Sequence, residues 1–75
     1  MAEFTLSPTE VACGVTIEQV REVRAKAYIM HDKQSVAIVR GTPPALAGAA
    51  ARLALGGDVE FVAINIWGNA LYRLS

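Results

Sequence analysis

The sequence has one cysteine, Cys13, and one histidine, His31. No disulfide can form within the chain, so it is not a stapled secreted scaffold. A structural zinc site usually draws on four Cys or His ligands and is excluded as well. An excess of either charge is also missing. Seven Lys and Arg balance seven Asp and Glu, so no global field draws the chain to nucleic acid or to anionic lipid. Long hydrophobic runs are absent. The most apolar stretch, residues 43–57, contains Arg52 and falls short of the roughly 20 residues that span a bilayer. Residues 1–6 carry an acid and no basic segment, which argues against a signal peptide. There is no Walker loop, dinucleotide fingerprint or metal-ligand spacing, and no cofactor is expected. Internal repeats and low-complexity linkers are missing too.

What is present is a chain of 75 residues, 53% hydrophobic and 19% charged. That is too apolar for a disordered segment and too short for two domains. A single domain over residues 1–75 is expected, in a reducing cytoplasm.

Ser7-Pro8-Thr9-Glu10 reads as a helix start, with Ser7 as cap, Pro8 at the first helical position and Glu10 closing a capping box. Gly14 offers a stop, so a short helical turn is predicted over residues 8–13, with residues 3–6 a candidate edge strand before it. Two patterns compete over residues 16–30. Ile17, Val20, Val23 and Ala27 recur at helical spacing, and Thr16 with Gln19 makes a second candidate capping box. Val23, Ala25, Ala27 and Ile29 also alternate with Glu22, Arg24, Lys26 and Tyr28, a period of two. The strand reading, over about residues 21–30, is preferred.

Residues 31–34 are polar and turn-like, and residues 35–40 read as the return strand. Thr42 is the expected cap of an Ala-rich helix that starts at Pro43 and ends at Gly56-Gly57. Residues 59–66 form an apolar strand, Gly68-Asn69 a two-residue hairpin loop and residues 70–74 the closing strand. The predicted fold is α+β: a small antiparallel sheet of about four strands in ββαββ order, with one main helix on one face and a short N-terminal helical turn.

A two-residue loop at Gly68-Asn69 would pair Trp67 with Ala70, Asn65 with Tyr72 and Ala63 with Leu74. One face would then carry Val62, Ile64, Ile66, Leu71 and Arg73 and meet the helix. The other would carry Phe61, Ala63, Asn65, Trp67, Ala70, Tyr72 and Leu74 with nothing obvious to cover it. Three of the chain's five aromatic residues lie there. Aromatic side chains dominate interface energetics, so Phe61, Asn65, Trp67 and Tyr72 are candidate partner-binding residues. The competing reading is that the N-terminal segment folds over them and they are core.

The Ala-rich helix has Arg52 as its only charge. Its second side, through Ala47, Ala51 and Leu55, is a candidate homodimer face, against the plainer view that alanine simply favours helix. Arg24, Lys26 and Tyr28 would share one strand face, a weaker candidate for nucleic acid, diluted by Glu18, Glu22 and Asp32. A helix-turn-helix over residues 10–23 is rejected because the first helix is too short before Gly14. His31 beside Asp32 in a polar turn makes no triad, and Cys13 would need His31 near it in space. A non-enzymatic role is expected.

From about residue 27 to residue 74, the strand pair, the Pro-led Ala-rich helix (Pro43-Pro44-Ala45 onward), the Gly turn and the final hairpin resemble, in outline, some small type I anti-CRISPR proteins used by phages and mobile elements. The resemblance covers about two thirds of the chain and assigns no functional residue. It implies a non-enzymatic inhibitor that docks on a Cas protein or surveillance complex in the host cytoplasm. Many such inhibitors are acidic DNA mimics, and the zero net charge here departs from that. Shape and aromatic anchoring are expected in place of phosphate mimicry. A small nucleic-acid-binding domain and a self-associating structural subunit are the alternatives.

Overall fold

A computed structural model describes residues 4–75. The chain is an α+β domain in which a four-stranded antiparallel sheet carries helices on one face. In chain order the elements are α1 (Pro8–Ala12), α2 (Ile17–Lys26), β1 (Tyr28–Ile29), β2 (Ser35–Ile38), α3 (Pro44–Leu55), β3 (Val59–Ile64) and β4 (Ala70–Leu74). The sheet order is β1-β2-β4-β3, with every neighbouring pair antiparallel. β2 and β3 therefore run the same way with β4 between them, and α3 makes the crossover.

Both capping boxes read from the sequence are formed. Ser7 Oγ accepts from the Glu10 backbone N–H at 3.2 Å while Glu10 Oε1 accepts from the Ser7 N–H at 2.8 Å. Thr16 and Gln19 repeat the exchange at the head of α2. That second box belongs to a ten-residue helix, so the strand expected over residues 21–30 shrinks to Tyr28–Ile29. The physical reason lies in residue type. The alternating set was half alanine, which favours helix over strand. Val20, Val23 and Ala27, at helical spacing, pack on the core, whereas Ala25 is exposed. Of the edge strand expected over residues 3–6, Glu3 lies outside the described residues and residues 4–6 form no strand.

α3 begins one residue later than expected. Pro43 caps it without a side-chain bond, and the Thr42 hydroxyl donates instead to the Val39 carbonyl at 2.7 Å. It ends on Gly56 in the left-handed region, φ 76°, whose N–H returns to the Arg52 carbonyl. The helix packs on β2, β3 and β4 and is met from elsewhere by α1 and α2. Ala47, Ala50 and Ala51 share an arc of about 100°, and Ala49 points to the far side. All four are buried. The helix is thus a middle layer, and its small side chains let the neighbouring layers approach closely. The core around it is Val20, Val36, Ile38 and Tyr72.

Arg52, the one charge on α3, is absorbed by the N-terminal segment. Its guanidinium pairs with both carboxylate oxygens of Glu10, donates to the Thr5 carbonyl at 2.8 Å, and stands 5.1 Å from the Phe4 ring centroid. Burial on its own would raise the Glu10 carboxyl. The Arg52 hydrogen bond, the Ser7 N–H and the Arg52 charge outweigh it and hold the group below its ordinary value of 4.5.

Two outcomes follow from this packing. Ala50→Leu forces extra volume into a filled layer and is expected to cost about 1–3 kcal/mol in urea unfolding; an unchanged midpoint would mean the layers are not in contact there. Because the folded Glu10 value is depressed, its contribution to stability is present above 4.5 and fades as pH falls through the folded value. The stability gap between the parent and Glu10→Gln should therefore narrow on acidification through that range.

Candidate protein-docking surface

The β3–β4 connection is built around a four-residue turn. Asn65 stands at its first position and Gly68 at its fourth, the residue preferences of a type I turn. The Gly68 N–H donates to the Asn65 carbonyl at 3.0 Å, and Gly68 takes φ 84°. The Asn65 carboxamide oxygen accepts from the N–H groups of both Trp67 and Asn69, each at 3.0 Å. The Asn65 N–H donates to the Asn69 carbonyl at 3.0 Å. The Asn69 side chain in turn accepts from the Arg40 N–H at 3.1 Å, tying the loop to the end of β2. Every bracket in this loop is a backbone or asparagine contact. Its two apolar side chains, Ile66 and Trp67, are left outside, 89% and 68% exposed.

The strand leading into the loop has the same character. β3 is an edge strand, with Phe61 55%, Val62 50% and Ile64 58% exposed. Five large apolar residues within seven positions thus lie at one border of the sheet. Such a concentration on a small domain is the kind of surface character that interaction sites carry. An edge with unpaired N–H and C=O groups is also open to strand addition. A bulge between Phe61 and Ala63 leaves Val62 as the extra residue and interrupts the regular ladder.

The register differs from the expected one. Ile64, not Trp67, opposes Ala70, and Phe61, not Asn65, opposes Tyr72. Phe61 and Tyr72 do share a face, with ring centroids 5.6 Å apart in an edge-to-face arrangement. That face is the one under the helices. Tyr72 is 9% exposed in the core, and burial raises its phenol above the usual range. Tyr72 is therefore a core residue and leaves the docking set. The helix-free face instead carries Tyr28, Ala37, Leu71 and Ala63 in one row across the sheet, with Ser35, Arg73 and Glu60 in the next. Arg73 Nε bonds Glu60 Oε1 at 2.7 Å in solvent. Arg73 on the supposed helix-facing side was the signal that this side faces water.

Val62, Ile64 and Ile66, expected under the helix, belong to the exposed set. The spacing Asn65-x-x-Gly68 was the clue that the loop is longer than two residues. Asn65 brackets the loop from within, while Phe61 and Trp67 remain exposed. Ala47 and Ala51 are buried and Leu55 packs against the core, so this side of α3 is not a homodimer face. Arg24 and Lys26 sit in the last turn of α2, about 200° apart around it, and Tyr28 is on β1, so the three share no basic face. Cys13 and His31 are both exposed. Among the described residues no cluster of three His, Cys, Asp or Glu could hold a metal ion, and no helix is long and apolar enough to cross a membrane.

No protein-family model, curated protein or solved structure matches the chain.

Asn65→Ala removes an acceptor shared by two backbone N–H groups and is expected to destabilise the domain by about 1 kcal/mol. It should also speed amide exchange at Trp67 and Asn69. Unchanged exchange at those two amides would show that the side chain does not hold the loop.

Proposed function

We propose that the domain is a non-enzymatic protein-binding module that docks on a larger protein through Ile66 and Trp67, flanked by Phe61, Val62 and Ile64 along the β3 edge. The observation that carries this is the pairing of opposite properties in one loop. Its backbone is fixed by Asn65 and Asn69, yet its two large apolar side chains are left to solvent. A pre-ordered tryptophan binds with little further entropy loss, which suits an interface anchor. Zero net charge favours recognition by shape and apolar contact over electrostatic steering.

Within this proposal the domain acts as an inhibitor by occluding the partner's surface. The outline resembling small type I anti-CRISPR proteins makes a Cas protein or surveillance complex the first partner to assay, in a host cytoplasm where the exposed Cys13 thiol stays reduced. The nucleic-acid alternative has lost its shared basic strand, because Arg24 and Lys26 lie on a helix.

The test uses tagged wild type, Trp67→Ala and Ile66→Ser as baits for purified Cas complexes and for host lysate. A partner held by wild type should be lost by at least about tenfold with both variants, while their circular dichroism stays native. Tyr72→Ala, by contrast, is expected to lose about 3 kcal/mol or more of folding stability. A partner retained equally by both loop variants would place the docking surface elsewhere.

A further inference from the structure

α1 is unlike the other helices in what holds it. It is five residues long, too short to persist alone in water. Its only buried residue is Glu10, and Val11 is exposed. The helix contacts α3, and the polar part of that contact passes through one side chain. Arg52 takes the Glu10 carboxylate, the Thr5 carbonyl and the face of the Phe4 ring. Around this clamp, Phe4 and Leu6 are partly buried against the core. The remaining α1 hydrogen bonds are internal except one, in which the Val15 N–H donates to the Glu10 carbonyl across Gly14 at 3.0 Å. The Val11 N–H returns to Ser7, Cys13 to Thr9 and Glu10, and Gly14 to Val11.

The join to the rest of the chain is a hinge geometry. Gly14 takes φ 81°, with open space where a Cβ would stand. Two residues later α2 starts with its own Thr16–Gln19 box, so the N-terminus of α2 is satisfied without α1. α2 also places Val20 in the core, which α1 does not do with any apolar residue. The segment before Gly14 thus satisfies most of its hydrogen bonds within itself and is held to the rest by the Arg52 clamp, the partly buried Phe4 and Leu6, and the single Val15 N–H bond to Glu10.

We propose that residues 4–14 form a strap that undocks from α3 as one unit while α2, α3 and the sheet stay folded, with Arg52 as its latch and Gly14 as its hinge. Undocking bares the Arg52 guanidinium on an otherwise apolar helix, a second surface distinct from the β3 edge. The strap stands independently of the docking surface, and its test does not need a partner.

Native-state amide hydrogen exchange on the full chain, at several low urea concentrations, reads it. In wild type the amides of Val11, Cys13 and Gly14 should exchange at least about tenfold faster than those of the β2–β4 ladder, with little urea dependence, as local opening requires. Arg52→Met keeps an unbranched apolar stem and removes the latch. It should speed the strap amides about tenfold more and leave the ladder amides within about twofold. If Arg52→Met does not fold, the wild-type urea dependence decides alone. Strap amides that exchange at the ladder's rate and with the ladder's urea slope would overturn the proposal, since they would open only with the whole domain.

Discussion

The packing of α3 on two sides is the constraint from which the rest of this small domain follows. A helix clothed in alanine has little apolar area on any one face, so it stabilises a fold only if several faces are covered. Here the sheet takes one side, and α1 and α2 approach from elsewhere. Thin alanine side chains allow that double contact without a thick core. The consequence is asymmetric. Among the described residues the helices gather on one side of the sheet, leaving the other face without a helix and β3 paired on one side only, with β4.

The exposed apolar border is what this arrangement leaves uncovered. It is not a loose end, because the loop carrying Ile66 and Trp67 is held through asparagine carboxamides and the Arg40 backbone. Rigid backbone beneath exposed apolar side chains is the combination that binding requires and that solubility opposes. The bulge after Phe61 acts in the other direction, since a kinked edge is a poor template for indiscriminate strand addition. Under the proposed docking role, the loop, more than the strand, is the specific element.

Much of the architecture was legible in the residues. Pro43, one residue before the observed start, and Gly56 at the end bracket α3, Ser7 with Glu10 marks α1, and the bounds of β4 follow from its pattern and the preceding glycine turn. Three features were not legible, each for a physical reason. In residues 16–30 alanine satisfied both periods, and only the cover that α3 offers to Val20, Val23 and Ala27 selects the helix. The hairpin register hung on whether Gly68 opens a two-residue loop or closes a four-residue turn begun by Asn65. Both use glycine at positive φ, and the bulge at Val62 leaves no mark in composition. The two-sided burial of α3 was visible as apolar residues all round the helix, which signals a buried helix as readily as a dimer face. Ala47 and Ala51 are covered within the same protomer.

Of the proposed site, Phe61 and Trp67 were found from the sequence, while Tyr72 belongs to the core and Ile66 was misplaced by the register. Trp67 is the only tryptophan, so the most direct test of an uncovered loop is the intrinsic fluorescence of the dilute protein alone. Emission close to that of free indole in water, with ready quenching by acrylamide, is the result expected. A blue-shifted band shielded from acrylamide would show that the protomer covers its own Trp67 and would contradict the account.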